Sequence, residues 1–161
     1  MIITNFKTYQ EATGDNAVSL AKTHEAVARE TGAEIWVAVQ AVDLARVAEA
    51  VSIPVLAQHV DPAGSGGFTG KITPEAAKMA GAAGTLLNHS ENRLNREILS
   101  QTIRRCKEAG LKTIVCAATP EEGAGFLEFE PDFIAVEPPD LIGGDVSVAT
   151  RPVVASRHET W

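Results

Sequence analysis

Three side chains in this sequence could act together on a carbonyl compound: Lys7, His89 and Glu137. Each follows or closes a short apolar run, in Asn5-Phe6-Lys7, in Asn88-His89-Ser90-Glu91 and in Glu137-Pro138-Pro139. A carboxylate can take a proton from carbon, an imidazole can polarise a carbonyl oxygen, and an ammonium can hold an anionic substrate. Together they form a working set for enolisation. Taken singly, each has a plainer use. Lys7 reads as an exposed loop lysine, His89 as a helix cap, and Glu137 as a rim acid paired with a lysine. His24, His59 and His158 read as structural or surface residues. The three rim residues gain weight because the strand pattern fixes their positions independently of their chemistry.

The elements that must place them are legible as two alternating periods. Apolar or β-branched runs predict strands over Ile2 to Phe6, Glu34 to Gln40, Val55 to Val60, Thr85 to Asn88, Thr113 to Ala117 and Phe133 to Glu137. Runs apolar on both faces belong to parallel sheets covered on both sides. Between them, Ala17, Leu20, Ala21, His24, Val27 and Ala28 share one helical stripe, as do Ala41, Leu44, Ala45, Ala48 and Val51. Leu94, Ile98, Leu99, Thr102, Ile103 and Cys106 form another. Thr73-Pro74 and Thr119-Pro120 each set a cap residue before a first-turn proline, and Gly32 and Gly110 stop helices before the next strand. This alternation predicts an α/β fold with a parallel sheet, in which chemistry gathers beyond the carboxyl ends of the strands. Asn88 followed by Glu91 reads as a loose capping box, which predicts His89 at the positive end of a helix, kept neutral there.

Composition narrows the classes. The 161 residues carry 21 acids against 14 bases, a formal net charge of −7, which argues against nucleic acid as a partner. Hydrophobic residues make up 45%, enough for a core, yet no apolar run approaches a membrane span. Met1 leads into Ile2-Ile3-Thr4 without a basic, cleavable leader, and Cys106 and Cys116 read as buried thiols, so a cytoplasmic setting is expected. The whole chain, 1–161, reads as a single domain. One glycine-rich loop, Asp61 to Lys71, is long enough to expect a function of its own.

The residues also carry a family resemblance. Asn5-Phe6-Lys7-Thr8-Tyr9, Gln58-His59-Val60-Asp61-Pro62, Phe68-Thr69-Gly70, Gly84 to Glu91 and Ala135 to Gly143 together resemble triosephosphate isomerase, most closely its short archaeal form. The resemblance implies interconversion of dihydroxyacetone phosphate and glyceraldehyde 3-phosphate without cofactor or metal. It implies Glu137 as the base, His89 as the electrophile and Lys7 as the cation offsetting substrate charge, with Asn5 and Phe6 beside it. Glu91 resembles the acid that stands next to that lysine. Pro138 to Gly144 resembles the closing lid, gripping phosphate near Ile142 and Gly143. The Asp61 to Lys71 loop resembles one that enters a neighbouring subunit.

The family fold is a barrel of eight βα units, whereas only about six are read here. The expectation is therefore an incomplete TIM barrel, a C-terminally truncated relative lacking the last two units. Gly143-Gly144-Asp145 also departs from the usual lid continuation by placing an acid near the phosphate. Much of the phosphate site belongs to the loops of the last two units, so turnover is expected to be weak or lost. The alternative is a non-catalytic oligomeric remnant or a phosphate-ligand binding module. Open strand edges invite pairing with another chain, so a homo-oligomer is expected.

Overall fold

A computed structural model of the chain describes residues 1–137. Strands and helices alternate along it: β1 (Ile2–Asn5), α1 (Asp15–Thr31), β2 (Ile35–Val39), α2 (Leu44–Ala50), β3 (Val55–Ala57), α3 (Pro74–Met79), β4 (Gly84–Leu87), α4 (Arg96–Ala109), β5 (Lys112–Ala117), α5 (Pro120–Ala124) and β6 (Phe133–Val136). Short 3₁₀ turns at Gln10–Ala12 and Leu127–Phe129 complete the connections. All six strands pair in parallel in the order β1-β2-β3-β4-β5-β6. The pairs Asn5↔Ala38, Val39↔Ala57, Leu87↔Val115 and Ala117↔Val136 bring the carboxyl ends to one rim.

The period of two along the strands sorts side chains into two cores. Val37, Val39, Val55, Ala57, Leu87, Val115 and Ala117 face the helices, where Leu44, Val47, Leu99 and Ile103 meet them. Trp36, Ala38, Leu56, Leu86 and Ile114 face the concave side, joined by Ile3 of β1 and Ala135 of β6. The curl is tight enough for Trp36 of β2 to meet Phe133 of β6 edge to face, with ring centroids 5.9 Å apart. Strands β2 and β6 are opposite each other in a ring of eight, so the sheet has the curvature of an eight-strand barrel. Among the described residues β1 and β6 are its edges.

The helix ends follow local chemistry. Thr73, Asn95 and Thr119 accept hydrogen bonds from the backbone N–H groups of Ala76, Ile98 and Glu122. Gly32 and Gly110 end α1 and α4 in the left-handed conformation, which glycine adopts without steric penalty. Cys106 and Cys116 are free and buried, and burial pushes the Cys106 thiol up to about 12. No described helix is long and apolar enough to cross a membrane.

Gly84 opens β4 where β5 passes closest. A β-carbon there would lie 2.4 Å from the carbonyl oxygen of Lys112 and 2.8 Å from its Cβ. Backbone cannot yield as a side chain can. Gly84→Ala is therefore expected to cost about 1–3 kcal/mol in chemical denaturation. Gly67→Ala, whose new methyl meets open space, should stay within about 0.5 kcal/mol of the parent. Equal stability for the two variants would contradict the close strand approach.

Candidate active site

At the end of β1 the chain turns sharply. Lys7 takes a positive φ of 49°, sparsely populated for a residue with a β-carbon. Its N–H donates to Asn5 Oδ1 at 3.0 Å, and its carbonyl accepts from Gln58 Nε2 at 2.9 Å. The turn sends the ammonium across the rim to Glu91 Oε1, 2.8 Å away. That hydrogen bond is the main reason the Lys7 ammonium is raised above the ordinary lysine value; partial burial pulls the other way. The same bond holds the Glu91 carboxyl below the ordinary glutamate value.

At the end of β4, Asn88 is buried and also has positive φ, at 59°. Its Nδ2 donates to the Cys116 carbonyl on β5, and its Oδ1 accepts from the Leu94 N–H, both at 2.9 Å. The capping-box expectation at Asn88 is overturned here. Residues 88–95 form a loop, and α4 begins at Arg96 with Asn95 as its cap. Asn88 spends its side chain on β5 and on the far end of that loop, so His89 does not stand in a helix's first turn.

A different contact sets the proton on His89. The Glu91 N–H donates to His89 Nδ1 at 3.1 Å. A nitrogen that accepts carries no proton, so the ring is held as the neutral tautomer with hydrogen on Nε2. Glu91 Oε2 lies 3.6 Å from Nδ1, too far to compete with the amide. His89 Nε2 faces Glu137 Oε2 at 3.5 Å. That oxygen is buried with no hydrogen-bond partner among the described residues. Below it, burial raises the Cys116 thiol, and the Glu137 carboxylate raises it further, so the sulfur stays protonated.

A cleft of about 180 Å³ opens among Asn5, Lys7, Gln58, His59, His89 and Glu91. It is smaller than pockets for drug-sized ligands, and every residue lining it carries a polar or charged group, which suits a small anion. Glu137 does not line it and meets it through His89. Phe6 does not line it either. The turn at Lys7 leaves the Phe6 ring in the core against His24, with centroids 5.4 Å apart. Ile142 and Gly143, with the rest of the Pro138 to Gly144 segment, lie outside the described residues. Among the described residues Glu137 forms no ion pair with a lysine, and its side chain faces the His89 imidazole instead.

Gln58 and His59 also line the cleft, which the strand-like run Val55 to Val60 conceals: β3 ends at Ala57, so the two residues that follow it emerge on the rim. The Asp61 to Lys71 loop is closed at its base by Asp61. Its N–H donates to the Ile72 carbonyl, its carboxylate accepts from the Ile72 N–H, and Lys71 Nζ lies 2.9 Å from Oδ1. Burial pushes the Asp61 carboxyl up, but the Ile72 N–H and Lys71 outweigh it and hold it below the usual range. Among the described residues no cluster of His, Cys, Asp and Glu is arranged to hold a metal ion.

Comparisons with known proteins agree with this arrangement. A sequence profile of the triosephosphate isomerase family matches residues 1–159. Triosephosphate isomerase of Methanobacterium bryantii is 48% identical over 149 residues, covering 92% of this chain and 66% of the relative. That of Saccharolobus solfataricus is 44% identical over 158 residues, covering 98% of this chain and 70% of the relative. The chain thus spans about two thirds of the length of the curated relatives it matches. The crystal structure of triosephosphate isomerase from Bartonella henselae superposes with a TM-score of 0.69 at 23% identity, over 85% of this chain and 67% of that one. The fold of the described residues is an incomplete TIM barrel.

The Lys7–Glu91 pair makes a pH-dependent prediction. Its contribution is present above the ordinary glutamate value and is lost as pH falls through the lowered Glu91 value. At the other end it is lost as pH rises through the raised Lys7 value. The pair is therefore charged on both sides between about pH 4 and about pH 10. Glu91→Gln should bring the Lys7 titration, followed by NMR at its ε-carbon, back down toward an ordinary lysine. An unchanged Lys7 titration in that variant would exclude the pair.

Proposed function

The chain belongs to the triosephosphate isomerase family, and from that premise we propose that it interconverts dihydroxyacetone phosphate and glyceraldehyde 3-phosphate. The observation that carries the reading is the placement of His89. One ring nitrogen is occupied by a backbone amide, and the other is turned toward a carboxylate oxygen that has no hydrogen-bond partner among the described residues.

Glu137 takes a proton from the carbon beside the substrate carbonyl and returns it to the neighbouring carbon. Between the two transfers the substrate is an enediolate. His89 Nε2–H donates to whichever substrate oxygen carries the developing negative charge. A neutral imidazole is a better-matched donor here than an imidazolium, because it can pass its proton between the two oxygens and recover it. Lys7 offsets the phosphate and enediolate charge, and Asn5 fixes the turn from which Lys7 reaches. Among the described residues Glu137 Oε2 makes no hydrogen bond, which leaves that oxygen open to a substrate proton.

A coupled assay at high enzyme concentration tests the reading. The wild-type chain is expected to turn over either triose phosphate weakly, well below the rate of full-length relatives. Glu137→Gln should lower kcat by roughly 10²- to 10⁴-fold, the usual worth of a positioned general base. Turnover that survives Glu137→Gln, or none in the wild-type chain, would overturn it.

Self-association is part of the same proposal. Strands β1 and β6 are sheet edges among the described residues, and the loop clasped at Asp61 carries Phe68 half exposed. Light scattering should give a mass of two or more chains; a folded monomer throughout the micromolar range would remove the idea.

A further inference from the structure

We infer that Gln58 is a positioning residue for Lys7, acting on the backbone that aims the ammonium into the cleft. Three observations converge on it. First, Lys7 adopts a positive φ without being glycine, a conformation that persists only where surrounding contacts over-determine it. Secondly, both peptide groups of that turn are held by side chains. Asn5 takes the N–H, and Gln58 Nε2 donates to the carbonyl at 2.9 Å. Thirdly, Gln58 is itself anchored. Its backbone N–H donates to the Val39 carbonyl at 3.2 Å, and its Nε2 also lies 3.4 Å from the Ala38 carbonyl.

The Ala38 carbonyl receives the Phe6 N–H at 2.9 Å as well. One side-chain amide therefore ties the turn after β1 to the ends of β2 and β3. Asn5 is local and moves with the turn. Gln58 is the only contact described for the Lys7 backbone that comes from another strand, so it supplies the reference frame. Without it the left-handed turn relaxes toward ordinary φ. The ammonium then leaves Glu91 and the mouth of the cleft, while the fold, held by the two cores, remains.

Gln58→Met and Gln58→Leu approximately preserve volume and remove the donor. The decisive measurement is the rate at which each lysine reacts with acetic anhydride, read by mass spectrometry. In both variants Lys7 should react several-fold faster than in the parent, with Lys22 and the other lysines unchanged and the melting transition still cooperative. An unchanged Lys7 rate overturns the assignment. So does loss of cooperative folding in both variants, which would make Gln58 a determinant of the fold and not of Lys7.

This arm is independent of catalysis. A second arm rests on the function proposed above. There kcat/KM should fall roughly tenfold in Gln58→Met, the scale of one lost hydrogen bond to a group that must be held in place. In a Lys7→Ala background the same substitution should add little. An equal further loss in that background would show Gln58 acting other than through Lys7. Absence of turnover in the parent would count against the proposed function alone.

Discussion

The side-chain amide of Asn88 is the joint on which the rim depends. It is almost wholly buried, and both of its ends are used across distance, one on the β5 carbonyl of Cys116 and one on the Leu94 N–H. A buried amide with both ends satisfied contributes modestly, but losing it would leave the buried Cys116 carbonyl unpaired, at about 1–3 kcal/mol, and would free the partly buried Leu94 N–H. The residue therefore does more than end a strand. It fixes the angle at which the chain leaves β4, and His89 is the next residue.

From that joint the site can be followed as one connected chain of contacts. Asn88 sets the loop, and the loop brings the Glu91 amide onto His89 Nδ1. The same residue's carboxylate receives the Lys7 ammonium, and the Lys7 backbone is held by Asn5 and Gln58. Glu91 thus serves twice, with its amide choosing the tautomer of the imidazole and its carboxylate balancing the cation. The chain is partly exposed at Glu91, so its electrostatic worth is screened; its value lies in geometry, which solvent does not weaken.

The fold was largely legible in the sequence because both faces of each strand are buried. Runs such as Ile35-Trp36-Val37-Ala38-Val39 admit few other readings, and the threonine–proline caps and terminal glycines mark the helices in between. What could not be read was what depends on distant partners. Val55 to Val60 looks like one strand, yet β3 pairs with β4 only over Leu56 and Ala57, so Gln58 and His59 emerge onto the rim. Asn88 with Glu91 imitates a capping box, and nothing local reveals that the Asn88 amide is committed to Cys116, twenty-eight residues on. Phe6 lies between two rim residues in sequence, but the backward turn at Lys7 returns its ring to the core. In each case a local pattern was outbid by a long-range hydrogen bond or a positive φ.

The position of β4 explains why the groups can meet at all. Lys7 comes from β1 and Glu137 follows β6, the two edges of the described sheet, so no direct pairing of strands relates them. His89 comes from an interior strand between those edges. It is reached from the Lys7 side through Glu91 and from the Glu137 side directly. The curl that brings Trp36 against Phe133 on the concave side also draws the two edges inward around β4. The geometry of the rim is therefore referenced to the centre of the sheet. A displacement of either edge would change one distance to the imidazole and leave the other in place. Of the two, the Glu137 contact is the more sensitive. It spans 3.5 Å to an oxygen that makes no hydrogen bond among the described residues, with the Glu137 backbone tied only through its N–H to Ala117, whereas Lys7 is held at its backbone from two sides and at its ammonium by a carboxylate.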